Sequence, residues 1–179
     1  MDNRPDQIIN NRNMDAVELR EIQEPLKARY REDPAAALIT LKASARAGEG
    51  ISCKVETGRA LSEAGLHPAT GGDGTLVCSG DMLLEALAAC AGVTLKAVAT
   101  SIGFDLQDAT IEVEGDLDFR GTLSVDKNAP VGFQAIRLHF HLQTSETSDK
   151  IAILIKLTER YCVVYQTLMH SNLIVVTVS

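Results

Sequence analysis

The sequence predicts an α+β domain with a mostly antiparallel sheet, and three observations carry that prediction. Apolar and polar residues alternate over paired stretches, which is the two-residue period of half-buried strands. Two other stretches read as helices instead: Asp81 to Ile102 is apolar nearly all round, and the one starting at Ser148 carries an apolar stripe at helical spacing. The chain has 179 residues, 45% of them hydrophobic, which suffices for one real core and is too little for two large domains.

Taken in order, residues 1–13 are polar and Asn-rich and predict a loose arm. From Met14 the pattern turns helical. Met14, Ile22, Leu26 and Tyr30 fall near one face, Asp15, Glu18 and Glu21 favour the positive N-terminal end, Pro25 predicts a kink and Pro34 a stop. A hairpin follows, with Ile39, Leu41, Ala43 and Ala45 alternating against Thr40, Lys42, Ser44 and Arg46. Its turn is Ala47–Gly50, and Ile51, Cys53 and Val55 mark the return strand. Residues 58–80 hold Gly58, Gly65, Gly71, Gly72, Gly74 and Gly80, which predicts turns and a long connection rather than a regular element.

Asp81 to Ile102 is apolar nearly all round: Leu83, Leu84, Leu87, Cys90, Val93, Leu95 and Val98 are interleaved with alanines. Such a helix is buried in protein or in lipid. Its length is close to a bilayer span, but Asp81, Glu85 and Lys96 interrupt it and its alanines suit close helix packing, so it reads as a core helix ended by Gly103. Next, Ile111, Val113, Leu117 and Phe119 alternate with Glu112, Glu114, Asp116 and Asp118. Pro130 and Gly132 mark a loop before Ile136, Leu138, Phe140 and Leu142. Ser148 is positioned to cap a second helix with the stripe Ile151, Leu154, Ile155 and Leu157, which leads through Tyr161-Cys162 to a short segment and a last strand, Leu173 to Val178.

Charge and composition remove several function classes. Seventeen basic against 24 acidic residues give a net charge of −7, which repels polyphosphate, so nucleic acid is not an expected partner. Aromatics are 4% and Trp is absent, which argues against a base-stacking platform or a membrane-interface belt and leaves any pocket mainly aliphatic. Met1 to Pro5 lacks the apolar core of a secretory signal, and four scattered cysteines do not form a secreted disulfide framework. A reducing cytoplasm is the expected location.

The residues with chemical potential are few. Cys90 lies inside the apolar helix and Cys162 follows the second helix; each reads equally as a small buried hydrophobe or as a reactive thiol. A nearby cation, an acid to orient it and a second thiol would favour the reactive reading. Arg46, at the end of the first strand, and Asp81, nine residues before Cys90, are available for the first two roles. Cys53 and Cys78 lack a ligand spacing and read as structural. His139 and His141 share a strand face but alternate with core residues, and the Glu112 to Asp118 acidic strip has no calcium-loop pattern, so no metal is expected.

The run Asp81-Met82-Leu83-Leu84-Glu85-Ala86-Leu87-Ala88-Ala89-Cys90 resembles the cysteine helix of the OsmC/Ohr family. Tyr161-Cys162-Val163-Val164-Tyr165-Gln166-Thr167-Leu168 resembles that family's second cysteine segment, except that Val163 stands where the family has Pro. Gly71-Gly72 and the strand Glu114 to Gly121 extend the likeness, so it covers about residues 38 to 179, with the cysteines about 70 residues apart. Residues 1–37 then form an N-terminal arm and helix outside it.

The resemblance implies an intertwined α+β homodimer in which two long central helices pack against six-stranded sheets, the partner covering the 81–102 helix. It implies a thiol peroxidase of organic hydroperoxides, with Cys90 attacking, Cys162 resolving, and Arg46 paired with Asp81 to stabilise the thiolate. Asp81 is one methylene shorter than the family's Glu. The implied reductant is a small dithiol of the dihydrolipoamide kind, with no cofactor. Two alternatives stay open: a ligand-binding or redox-sensing dimer of the same fold without significant turnover, and an interaction protein with two structural cysteines.

Overall fold

The computed structural model describes residues 15–32, 44–47, 52–56, 61–124, 126–170 and 174–178. Helix α1 (Ala16–Glu32) starts at a capping box. The Asp15 carboxylate accepts from Val17 N at 2.8 Å and Glu18 N at 2.9 Å, and Glu18 returns a contact to Asp15 N at 3.0 Å. The helix runs on through Pro25 and lies against α2 (Ser79–Ile102). The expected apolar face at Met14, Ile22, Leu26 and Tyr30 lies outside the described side chains.

β1 (Ser44–Ala47) and β2 (Ser52–Glu56) form the expected antiparallel hairpin, with Arg46 opposite Lys54. The glycine-rich stretch departs from expectation. It contains β3 (Leu61–Gly65), paired antiparallel to β2, a 3-10 turn (Pro68–Thr70) and β4 (Val77–Cys78), paired parallel to β3. Its glycines serve close approach as well as turning: a Cβ on Gly72 would stand 1.8 Å from the Leu66 carbonyl oxygen.

α2 follows directly, 24 residues long, and ends as expected at Gly103, whose φ of 66° is the left-handed cap that favours glycine. It is the one described helix long and apolar enough to cross a bilayer. Here it packs on β5 (Asp108–Leu117), on α4 (Ser148–Tyr161) and on α5 (Val163–Met169). Its buried face is Leu87, Ala91, Leu95, Val98 and Ala99.

β5 and β6 (Phe133–Gln143) make a two-stranded antiparallel sheet in which Ile111 and Val113 face inward while Glu112 and Glu114 face out. The predicted continuation to Phe119 fails. Asp118 instead caps a short helix α3 (Phe119–Thr122), accepting from Arg120 N at 3.1 Å, and Phe119 stacks on His67 at 4.8 Å between ring centroids. α4 begins at Ser148 with Thr147, not Ser148, in the cap position.

The predicted last strand is also corrected: residues 174–178 adopt no regular structure, and Ile174, Val175, Val176 and Val178 are exposed. A strand is held by the strand beside it, and this segment has no strand pairing within the described residues.

Candidate active site

Two buried clusters line α2. One gathers Leu95, Val98, Ala99, Phe104, Leu106 and Leu154; the other gathers Leu87, Ala91 and Cys162, with Cys90, Val164 and Tyr165 packed against it. Residues 87, 91, 95 and 98 recur at helical spacing, so one face of α2 supplies both.

Cys162 is the single extended residue between two helices, closing α4 and opening α5, with φ −73° and ψ 107°. Its backbone is tied on both sides, since its N–H donates to the Thr158 carbonyl at 2.9 Å and its carbonyl accepts from Gln166 N at 2.9 Å. Thr158 is itself buried, donating its hydroxyl to the Leu154 carbonyl at 2.8 Å. The joint is therefore rigid, and it holds Cys162 at 1% exposure against α2.

Cys90 meets this joint from mid-helix and is half-buried. Burial alone would push its thiol up. That effect is outweighed by hydrogen bonds from the Val164 N–H, the Cys162 thiol, the Thr94 hydroxyl and the Val163 N–H, which together hold Cys90 below the ordinary thiol range. Cys162 moves the opposite way. Burial raises it first, the amides of Tyr165 and Val164 partly oppose this, and the adjacent Cys90 raises it further. The two neighbouring thiols are thus pushed in opposite directions, Cys90 below and Cys162 above the ordinary thiol value.

The other two sequence candidates are placed differently. Nine residues separate Asp81 from Cys90, which on an α-helix is two and a half turns, so the two side chains leave opposite faces about 13.5 Å apart along the axis. Asp81 instead lines a cavity of about 360 Å³ at the start of α2, together with His67, Cys78, Asp116, Phe119 and Phe133. Arg46 lies in β1 of the hairpin, and its side chain is outside the described residues, as is that of Cys53.

Sequence reading missed Thr94, although its place four residues after Cys90 on one helix face was a readable signal. The Val163 and Val164 amides carried no such signal, because only tertiary packing brings them to Cys90. Cys78, taken as structural, stands at the N-terminal cap of α2 and lines the cavity. His139 and His141 are exposed; His141 Nε2 lies 3.1 Å from Glu112. Among the described residues no His, Cys, Asp or Glu cluster is arranged to hold a metal ion.

The α+β fold built round one long apolar helix is shared with proteins of known structure. The OsmC-like protein family model matches residues 72–178, and the chain belongs to that family. Its fold is similar to an OsmC-like protein from Mycoplasma pneumoniae, with TM-score 0.62, 18% identity, and 73% of this chain and 88% of that one covered. It is similar to an organic hydroperoxide resistance protein from Legionella pneumophila, with TM-score 0.58, 20% identity and coverage of 73% and 90%. A third likeness is to an organic hydroperoxide resistance protein from Elizabethkingia anophelis, with TM-score 0.56, 18% identity and coverage of 70% and 84%. At these identities the likenesses establish the fold. No curated protein matches the sequence.

Proposed function

We propose that this chain is a thiol-dependent peroxidase of organic hydroperoxides. The carrying observation is the Cys90–Cys162 pair, with its two thiols shifted in opposite directions. The Cys90 thiolate attacks the distal peroxide oxygen, the O–O bond breaks, an alcohol leaves after taking a proton, and Cys90 becomes a sulfenic acid. Cys162 then attacks that sulfur, water leaves, and a disulfide forms. A small dithiol of the dihydrolipoamide kind restores both thiols. Arg46, by the family resemblance, is the cation that further favours the thiolate and polarises the peroxide.

The aliphatic surround favours an alkyl substrate. Leu87, Ile111, Val113, Ile136, Leu138 and Val164 belong to the same cluster as Cys90, and burying an alkyl group there contributes roughly 25 cal/mol per Å². Cumene hydroperoxide is therefore expected to react faster than hydrogen peroxide, and equal rates would remove this part of the reading.

A homodimer belongs to the same proposal. Val93, on the side of α2 away from the core, is exposed, as are Leu83 and Ile102 nearer the two ends of the helix; the C-terminal segment leaves four more apolar side chains exposed, and among the described residues β5–β6 is a two-stranded sheet. A second copy supplies cover for all three. Sedimentation at micromolar concentration is expected to give twice the chain mass, and a monomer would contradict the assembly.

The test of the chemistry is peptide mass spectrometry after one equivalent of cumene hydroperoxide, with free thiols blocked before digestion. A Cys90–Cys162 disulfide is expected. Four unmodified thiols would overturn the peroxidase.

A further inference from the structure

We propose that the Cys90–Cys162 disulfide is opened only at Cys90: the reductant bonds to the Cys90 sulfur, and Cys162 acts solely as the internal leaving and resolving group, never meeting solvent or reductant. This rests on the redox pair proposed above and assigns the route by which it is recycled.

The argument starts from access. Thiol–disulfide exchange is a displacement in which the incoming thiolate, the attacked sulfur and the departing sulfur approach a line, so the outcome depends on which sulfur can be reached. Cys162 is 1% exposed, packed against Leu87 and Ala91 of α2 and beside Val164 and Tyr165. Every approach to its sulfur passes through packed side chains. Its backbone is held by two hydrogen bonds of 2.9 Å, one to Thr158 and one from Gln166, so the buried side chain is not carried outward by movement of the main chain. Cys90 stands at the edge of the same cluster and is half-buried. Attack on Cys90 in line with the disulfide comes from the side away from Cys162.

The exchange then runs in two displacements. One thiolate of the dithiol attacks the Cys90 sulfur, the Cys90–Cys162 bond breaks, and Cys162 leaves as a thiolate that takes up a proton. The second thiol of the reductant, deprotonated, attacks its partner sulfur in the mixed disulfide and expels the Cys90 thiolate. Two electrons pass to the protein and the dithiol becomes a cyclic disulfide.

The acidities divide the two steps. Burial makes Cys162 the poorer leaving group, eased by the Tyr165 and Val164 amides, whereas Cys90 leaves readily. The first displacement is the slow one. A monothiol lacks the second displacement, and burial pushes the Cys162 thiol up, which slows its return attack, so a monothiol adduct accumulates on Cys90.

The disulfide is best formed with diamide, which needs no peroxidase activity. Glutathione is then added, and samples are quenched with acid at the earliest times, unfolded, treated with N-ethylmaleimide and mapped. Glutathione is expected on Cys90 and maleimide on Cys162, with the Cys90 adduct in about tenfold or greater excess. Glutathione first on Cys162, or equally on both, overturns this assignment while leaving the redox pair standing. Failure of diamide to join Cys90 to Cys162 overturns the pair itself.

Discussion

The start of α2 and its middle carry the same residue types to different ends. At the start, Cys78 occupies the helix cap and shares an open cavity of about 360 Å³ with Asp81 and His67. In the middle, the partners of Cys90 among the described residues are a second thiol and two backbone amides, held by the α4–α5 joint, and the Thr94 hydroxyl of α2 itself. The start of α2 thus brings a thiol, an acid and a helix N-terminus together without a second thiol. The structure instead packs two thiols together where α4 ends and α5 begins against the middle of α2.

The largest expected effect separates the two thiols. Cys90→Ser is expected to reduce hydroperoxide consumption to the uncatalysed background, whereas Cys78→Ser leaves turnover with a dithiol intact. Equal losses would move the site to the cavity. Cys162→Ser sharpens the result: one equivalent of peroxide is still consumed, turnover stops, and Cys90 proceeds to sulfinic acid under excess peroxide, as mass spectrometry would read.

Next in size is packing. Leu87 is 2% exposed and forms the wall behind Cys162, while Leu84 is only half-buried beside the cavity. Leu87→Ala is expected to lose about 2–5 kcal/mol in denaturant unfolding, and Leu84→Ala distinctly less. Similar losses would mean that the start of α2 is as tightly packed as its middle.

Much of this arrangement was legible in the sequence, and the failures share a cause. The α2 core, its stop at Gly103 and the alternation of β5 and β6 follow from local pattern, and both cysteine segments follow from motif. β3, β4 and the irregular segment 174–178 do not, because whether an extended stretch is a strand depends on a partner elsewhere in the chain. Glycine density at 58–80 marked turns but not the pairing of Leu61–Gly65 with β2. Asp81 and Cys90 are joined by one motif and separated by helical geometry, which a linear reading does not show.

A smaller effect tests the uncharged donors. Thr94→Val removes one hydroxyl hydrogen bond, worth about 0.5–1.5 kcal/mol net, so Cys90 alkylation by iodoacetamide near neutral pH should slow by about twofold to tenfold. Thr94→Ser should restore it. The sign follows from the depressed acidity of Cys90: the alkylation rate rises with pH and levels off below the ordinary thiol range, and the Val variant shifts that rise to higher pH. An unshifted profile would remove Thr94 from the site.

The smallest effect is expected at Asp81, and it bears most directly on the contrast between the two regions. With the carboxylate about 13.5 Å away and on the opposite helix face, Asp81→Asn should change the iodoacetamide rate of Cys90 by less than about twofold, because exposed charges at this range are largely screened. Repeating the measurement at low salt enlarges any through-space term and separates it from a contact. A larger, salt-independent loss would mean that Asp81 reaches a Cys90 other than its own. In a homodimer that carboxylate would act across the interface, and the two ends of α2 would form one site shared between copies.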